Sequence, residues 1–156
     1  MTHASQPPPV LDSARVIAYA IVGEEIPYTE RNPIFVDGKL LGRVPRLAIC
    51  ENLGSEMGVL LFHCANDWSV LAASGGSTIE EEKRRAESNY PGVTALWIHL
   101  DTSRVEALAY YDEITKGLKC SFCGKRPFEV SGMVTGLRAS ICRECVTNFH
   151  AEISGS

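Results

Sequence analysis

The sequence predicts an α+β protein: a mainly antiparallel sheet with one or two helices, followed by a small module built around cysteines. Three observations carry this prediction. Short β-branched and apolar runs alternate with turn signals through the first half of the chain. Two segments with helix-capping signatures come next. Two C-x2-C pairs lie near the carboxyl end. A hydrophobic content of 45% with 22% charged residues belongs to globular proteins, not disordered ones. The expected organisation is a flexible tail over residues 1–12, an α+β domain over 13–117 and the cysteine module over 118–153.

Each element has a local reason. Residues 15–22 form an apolar, β-branched run that ends at Gly23, which reads as a buried strand; a helix starting at Asp12 or Ser13 fits the same run. Pro27 and Asn32-Pro33 mark a loop over 24–33. Asp37-Gly38 between Ile34-Phe35-Val36 and Lys39-Leu40-Leu41 is the signature of a tight hairpin. Residues 46–50 and 59–64 give two more strands around a turn at Leu53-Gly54-Ser55, and residues 67–73 a further one, stopped by Gly75-Gly76. Ser77 or Thr78 caps a helix whose first turn is acidic (Glu80-Glu81-Glu82) and which ends near Tyr90, before Pro91-Gly92. Residues 94–99 return as a short strand. Ser103 and Glu106 form a second capping box, and Val105, Leu108, Ala109 and Ile114 line the apolar stripe of the helix that follows.

The cysteines carry the most specific chemistry. Cys120-Ser121-Phe122-Cys123 and Cys142-Arg143-Glu144-Cys145 are separated by 18 residues. A two-residue gap lets both thiolates of a pair reach one ion from a tight turn, and two such knuckles complete a tetrahedral S4 site for Zn2+. Gly124 follows the first pair, where the knuckle needs a residue tolerant of positive φ. Two disulfides and an iron–sulfur centre are the competing readings. The first conflicts with a reducing compartment and the second with the usual ferredoxin spacings. Four sulfur ligands leave no open position for water or substrate, so the site is expected to be structural. His150, five residues beyond Cys145, is expected to be a bystander.

The stretch CSFCGKRPFEVSGMVTGLRASICRECV resembles the amino-terminal zinc-binding domain of ClpX-type protein unfoldases. The resemblance lies in the cysteines with Ser121, Phe122, Gly124, Lys125, Glu129, Val130, Gly136, Ile141, Glu144 and Val146, and covers about residues 119–153. Leu137 stands where that family has proline, and Ser131-Gly132 replaces a more basic pair. The resemblance implies a treble-clef-like C4 zinc finger, a hairpin followed by a helix, that dimerises and recruits protein partners. The helix is expected to start around Arg143 and to show Val146, Phe149 and Ile153 on one face. No G-x4-G-K-[ST] phosphate loop is present, so this chain is not expected to be the ATP-driven motor and no ATP binding is expected. Residues 13–117 resemble no family in this way.

Partner classes follow from charge and hydropathy. The chain carries a net charge of −4, and residues 119–156 hold five basic against three acidic side chains. Four thiolates around Zn2+ bring that segment near neutrality, a poor footprint for nucleic acid. No apolar run approaches the roughly 18 residues that span a membrane. The start, MTHASQPPPVLDSA, is polar and unlike a signal peptide, which gives a cytoplasmic expectation. The leading expectation is a zinc-binding protein-interaction and dimerisation module, an adaptor or regulatory protein and not an enzyme. Its expected contact patch is Phe122, Val130, Met133 and Val134 with Ile141, Val146, Phe149 and Ile153, an apolar set too large to hide around one metal site. Burial of that patch against the amino-terminal domain, leaving a monomer, is the alternative use of it. An immunity- or antitoxin-like binding protein is a second functional reading. A small hydrolase or transferase using Cys64 or His99 is a third. His63 and Cys64, adjacent on a strand, point to opposite faces and are badly placed to act together. Cys50 and Cys64 are expected as buried free thiols, and Trp68 and Trp97 as core aromatics.

Overall fold

A computed structural model of the chain describes residues 5–54, 58–76 and 78–155. The predicted roles of Ser55 in a turn and Ser77 as a cap lie outside the described residues, as do the first four positions of the expected tail. The protein forms two compact units, Met1–Ala107 and Leu108–Ser156. No helix among the described residues is long and apolar enough to cross a membrane.

The first unit is built on a curled antiparallel sheet. Its strands are β1 (Val10–Leu11), β2 (Ala14–Ile21), β5 (Arg46–Asn52), β6 (Val59–Cys64) and β7 (Val70–Gly75), hydrogen-bonded in that order, with the two-residue β8 (Ile98–His99) also pairing β2. A separate hairpin joins β3 (Ile34–Val36) to β4 (Lys39–Leu41). Its turn residues Asp37 and Gly38 have φ of 50° and 76°, the doubly left-handed turn that matches strand twist. Helix α1 (Ile79–Asn89) starts at Thr78, whose hydroxyl accepts the Glu81 N–H at 3.2 Å.

Period-two alternation divides the sheet into two apolar faces. Leu47, Ile49 and Leu61 face one core, which Ala86 and Tyr90 close from the α1 side. Ala48, Cys50, Phe62 and Cys64 face a second core with Tyr19 and Trp68. The first core is stitched by a polar contact: the Tyr90 hydroxyl accepts the Val44 N–H at 2.9 Å, so a buried phenol keeps a partner. In β2 the register shifts between Val16 and Ala18. The bulge explains why Val16 lies in the second core and Ala18 in the first, although even spacing would put both on one face.

Several expectations are corrected here. The flexible tail does not extend to residue 12: Val10 and Leu11 are buried and pair with Arg15 and Ala14, which gives β2 an outer neighbour. The strand expected over 67–73 begins only at Val70. Asp67 instead organises a loop, its carboxylate accepting the Ser69 N–H at 2.9 Å, and Trp68 sits at φ 68°. The strand expected over 94–99 is a 3-10 turn (Val93–Leu96) followed by the two residues of β8. Glu82 is not part of a solvated helical turn; it is fully buried, with the Arg85 guanidinium 3.7 Å away. Burial raises its carboxyl above the ordinary range.

Helix α2 (Arg104–Ile114) begins with the expected reciprocal box: Ser103 N–H donates to the Glu106 carboxylate at 2.7 Å and Glu106 N–H to the Ser103 hydroxyl at 3.1 Å. The stripe expected on it is wrong. Val105 and Ile114 are exposed, while Ala107 and Tyr111, four residues apart, are the buried pair. The two units divide within this helix, earlier than the boundary expected at 117–118. Its last turns belong to the second unit through Tyr111, which meets the Phe128 ring edge-on at 4.8 Å, and Asp112, which takes both forks of Arg126 at 2.7 and 2.8 Å. Beyond that lie a 3-10 turn (Pro127–Glu129), the hairpin β9 (Met133–Thr135) and β10 (Ser140–Cys142), and helix α3 (Arg143–Ile153).

Candidate metal centre

Local backbone chemistry delivers the four cysteines. The first knuckle closes when Gly124 N–H donates to the Cys120 carbonyl at 2.9 Å and Cys120 N–H to the Lys125 carbonyl at 2.8 Å. Gly124 sits at φ 77°, the left-handed conformation expected of it. Cys142 ends β10 and is also the N-cap of α3, its sulfur accepting the Cys145 N–H at 3.4 Å. Cys145 therefore lies in the first helical turn, where the helix dipole favours a thiolate. Cys120 accepts a further N–H, from Cys142, at 3.4 Å, which ties the two knuckles directly.

The sulfur geometry discriminates among ligands. All four Sγ atoms lie within 4.8 Å of one another. Two opposite edges, Cys120–Cys145 and Cys123–Cys142, measure 3.8 Å. A tetrahedron with Zn–S bonds of about 2.3 Å has edges of about 3.8 Å. A disulfide needs sulfurs about 2.05 Å apart, and all six cysteines are free thiols. The donor set thus fits Zn2+ bound by Cys120, Cys123, Cys142 and Cys145, with no ligand position left over.

Electrostatics makes the same demand. Burial opposes ionisation of Cys120, but N–H groups of Cys123, Cys142 and Phe122 outweigh it and bring the thiol down to about 6. Burial, and then its crowding against Cys142, Cys120 and Cys123, pushes Cys145 up to about 12. Four thiolates this close cannot all form unless a cation joins them. Around the site, Glu144 accepts from the Ser131 hydroxyl at 2.7 Å and the Ser131 N–H at 3.0 Å, pinning the loop before β9 to the start of α3. His150 is exposed on α3 and stands outside the sulfur cluster.

The remaining candidates separate. Met133, Val134, Ile141 and Val146 line one groove of about 360 Å3 with Gly132 and Arg143. Phe122 and Phe149 pair edge-on, ring centres 5.1 Å apart. Val130 is half-buried and Ile153 exposed. Cys64 and His99 are not brought together. Their strands β6 and β8 lie three strand spacings apart, about 14 Å, with β5 and β2 between them. Burial raises the Cys64 thiol to about 12, which disfavours its thiolate at neutral pH. His99 is exposed, 3.1 Å from the Lys83 amine. His63, for which a surface or half-buried place is the expectation, is buried on the face opposite Cys64. Asp112 and Arg126, which brace α2 against the first knuckle, escaped the sequence reading, where opposite charge was their only signal.

Residues 118–154 match the ClpX C4-type zinc finger family. No curated protein and no solved structure matches the chain.

Proposed function

We propose that this protein is an adaptor or regulatory protein in which the zinc finger pairs two copies and offers the α+β unit to a protein partner. The observation that supports this most is the apolar groove on the finger. Val134 and Val146 on its wall are 69% and 45% exposed, although the module they belong to has little interior to spare. Exposed apolar residues grouped on a small domain mark an interaction surface, and a twofold contact covers the same patch on both copies. The finger's near-neutral charge with metal bound favours an apolar protein contact over a phosphate backbone. A cytoplasmic setting suits the reading, because four thiolates must stay reduced to hold Zn2+.

The test is an isotope-filtered nuclear Overhauser experiment on a mixture of labelled and unlabelled zinc-loaded protein. Cross-chain contacts from the Val134, Ile141 and Val146 methyl groups are expected. Contacts confined to single chains would contradict the pairing.

A further inference from the structure

The sheet unit contains a cleft that the zinc finger does not explain. Strands β6 and β7, helix α1 and the loop before β3 border an open space of about 380 Å3, within the range of small-molecule sites, roughly 300–1,000 Å3. Its polar lining is Arg31, Asn32, His63, Ser74, Arg85 and Asn89, with no carboxylate among the lining residues. Two arginines thus line one concavity. Arg31 has no ion-pair partner among the described residues. Arg85 has only Glu82, at 3.7 Å, a carboxylate that is fully buried and does not line the cleft. Cations gathered in a concave, partly apolar wall focus a positive potential and attract anions.

A second observation is independent of the charges. His63 is 3% exposed, and its one polar contact among the described residues is Nε2 to the Ser74 hydroxyl at 3.5 Å. That is longer than an ordinary hydrogen bond, which spans about 2.7–3.2 Å. A buried imidazole with so little internal satisfaction calls for a partner. Burial lowers its pKa to about 4, so it meets a ligand at neutral pH as a neutral donor or acceptor.

The mouth of the cleft is fixed in advance. Asn89 uses its whole amide on the loop: Oδ1 accepts the Asn32 N–H at 2.7 Å and Nδ2 donates to the Asn32 carbonyl at 3.0 Å. Thr29 adds two more ties to the end of α1, to the carbonyls of Asn89 at 2.9 Å and Ser88 at 2.6 Å. A loop held this way spends little ordering entropy on binding.

We propose that this cleft binds a small oxyanion, a molecule bearing a phosphate or carboxylate group, held by the guanidinium groups of Arg31 and Arg85 and hydrogen-bonded at the floor by His63 and Ser74. Guanidinium suits either group because its planar fork matches two oxygens at once. The binding is separate from the finger, so loss of dimerisation leaves it untouched.

The experiment uses full-length, zinc-loaded protein, isotope-labelled at histidine rings and arginine Nε–H groups. Inorganic phosphate is titrated in one arm, succinate in another and sodium chloride at matched ionic strength in a third. Saturable shifts at His63 and Arg31 are expected in the phosphate or the succinate arm, with a Kd below about 1 mM, and the arm that saturates assigns the group. Arg31→Gln, an exposed and unpaired position, is expected to weaken binding about tenfold with zinc content and Tm unchanged. Arg31→Lys is expected to fall between the two, since it keeps the charge and loses the fork. Shifts no larger than in the chloride arm would overturn the proposal, and so would an Arg31→Gln protein that binds like the wild type.

Discussion

Cys142 serves the finger twice, as a metal ligand and as the cap that starts α3. Serine at this position keeps a capping oxygen, so Cys142→Ser isolates the ligand role. Structural zinc contributes on the order of 10–16 kcal/mol in small finger peptides, far more than one cap. The expected outcome is near-complete loss of bound zinc by elemental analysis and loss of α3 signals, with the sheet unit's spectrum largely kept. At His63 the expected effect is one of pH. Its pKa falls from an ordinary 6.5 to about 4 in the folded protein, through burial. The unfolded chain therefore binds the extra proton first, and stability is lost as pH drops from about 6.5 to about 4. The linkage amounts to roughly 3 kcal/mol across that window. Denaturant unfolding followed by tryptophan fluorescence should show a shallower acid loss in His63→Gln by about that amount; equal slopes would show that the imidazole protonates freely in the fold.

At the scale of elements, legibility followed how local each cause is. The Thr78 cap, the Ser103–Glu106 capping box, the Asp37-Gly38 hairpin and each pair of zinc ligands depend on residues a few positions apart, and each is readable from the sequence. The side of α2 that packs is not. Apolar residues occur around most of its circumference, and only contacts from distant segments select Ala107 and Tyr111 over Val105 and Ile114. The bulge in β2 is silent for a similar reason, since its run of small and apolar residues suits either face. The cleft proposed to bind an oxyanion draws on a loop, three strands and a helix, and no short motif joins them. Asp112 and Arg126 show what such a long-range brace does. They form a two-pronged, partly buried ion pair, which holds the Asp112 carboxyl below its usual range. Arg126→Ala is expected to cost about 1 kcal/mol, read as faster zinc release to a chelator; an unchanged rate would show that α2 does not support the finger.

The molecule as a whole is an acidic chain of two compact units, a sheet unit with its own two cores and a metal-built finger unit. The metal matters because the second unit is too small to fold on apolar burial alone. The same smallness leaves Val134 and Val146 outside, and pairing of two copies is the proposed use of that surface. Sedimentation equilibrium of the full-length, zinc-loaded protein tests this most directly, run beside Val134→Asp and Val146→Asp, whose side chains are solvent-exposed in the single chain. The account predicts a dimer at tens of micromolar that becomes a monomer in both variants with about one zinc per chain retained. A wild-type monomer at that concentration, or a dimer indifferent to both substitutions, would contradict it.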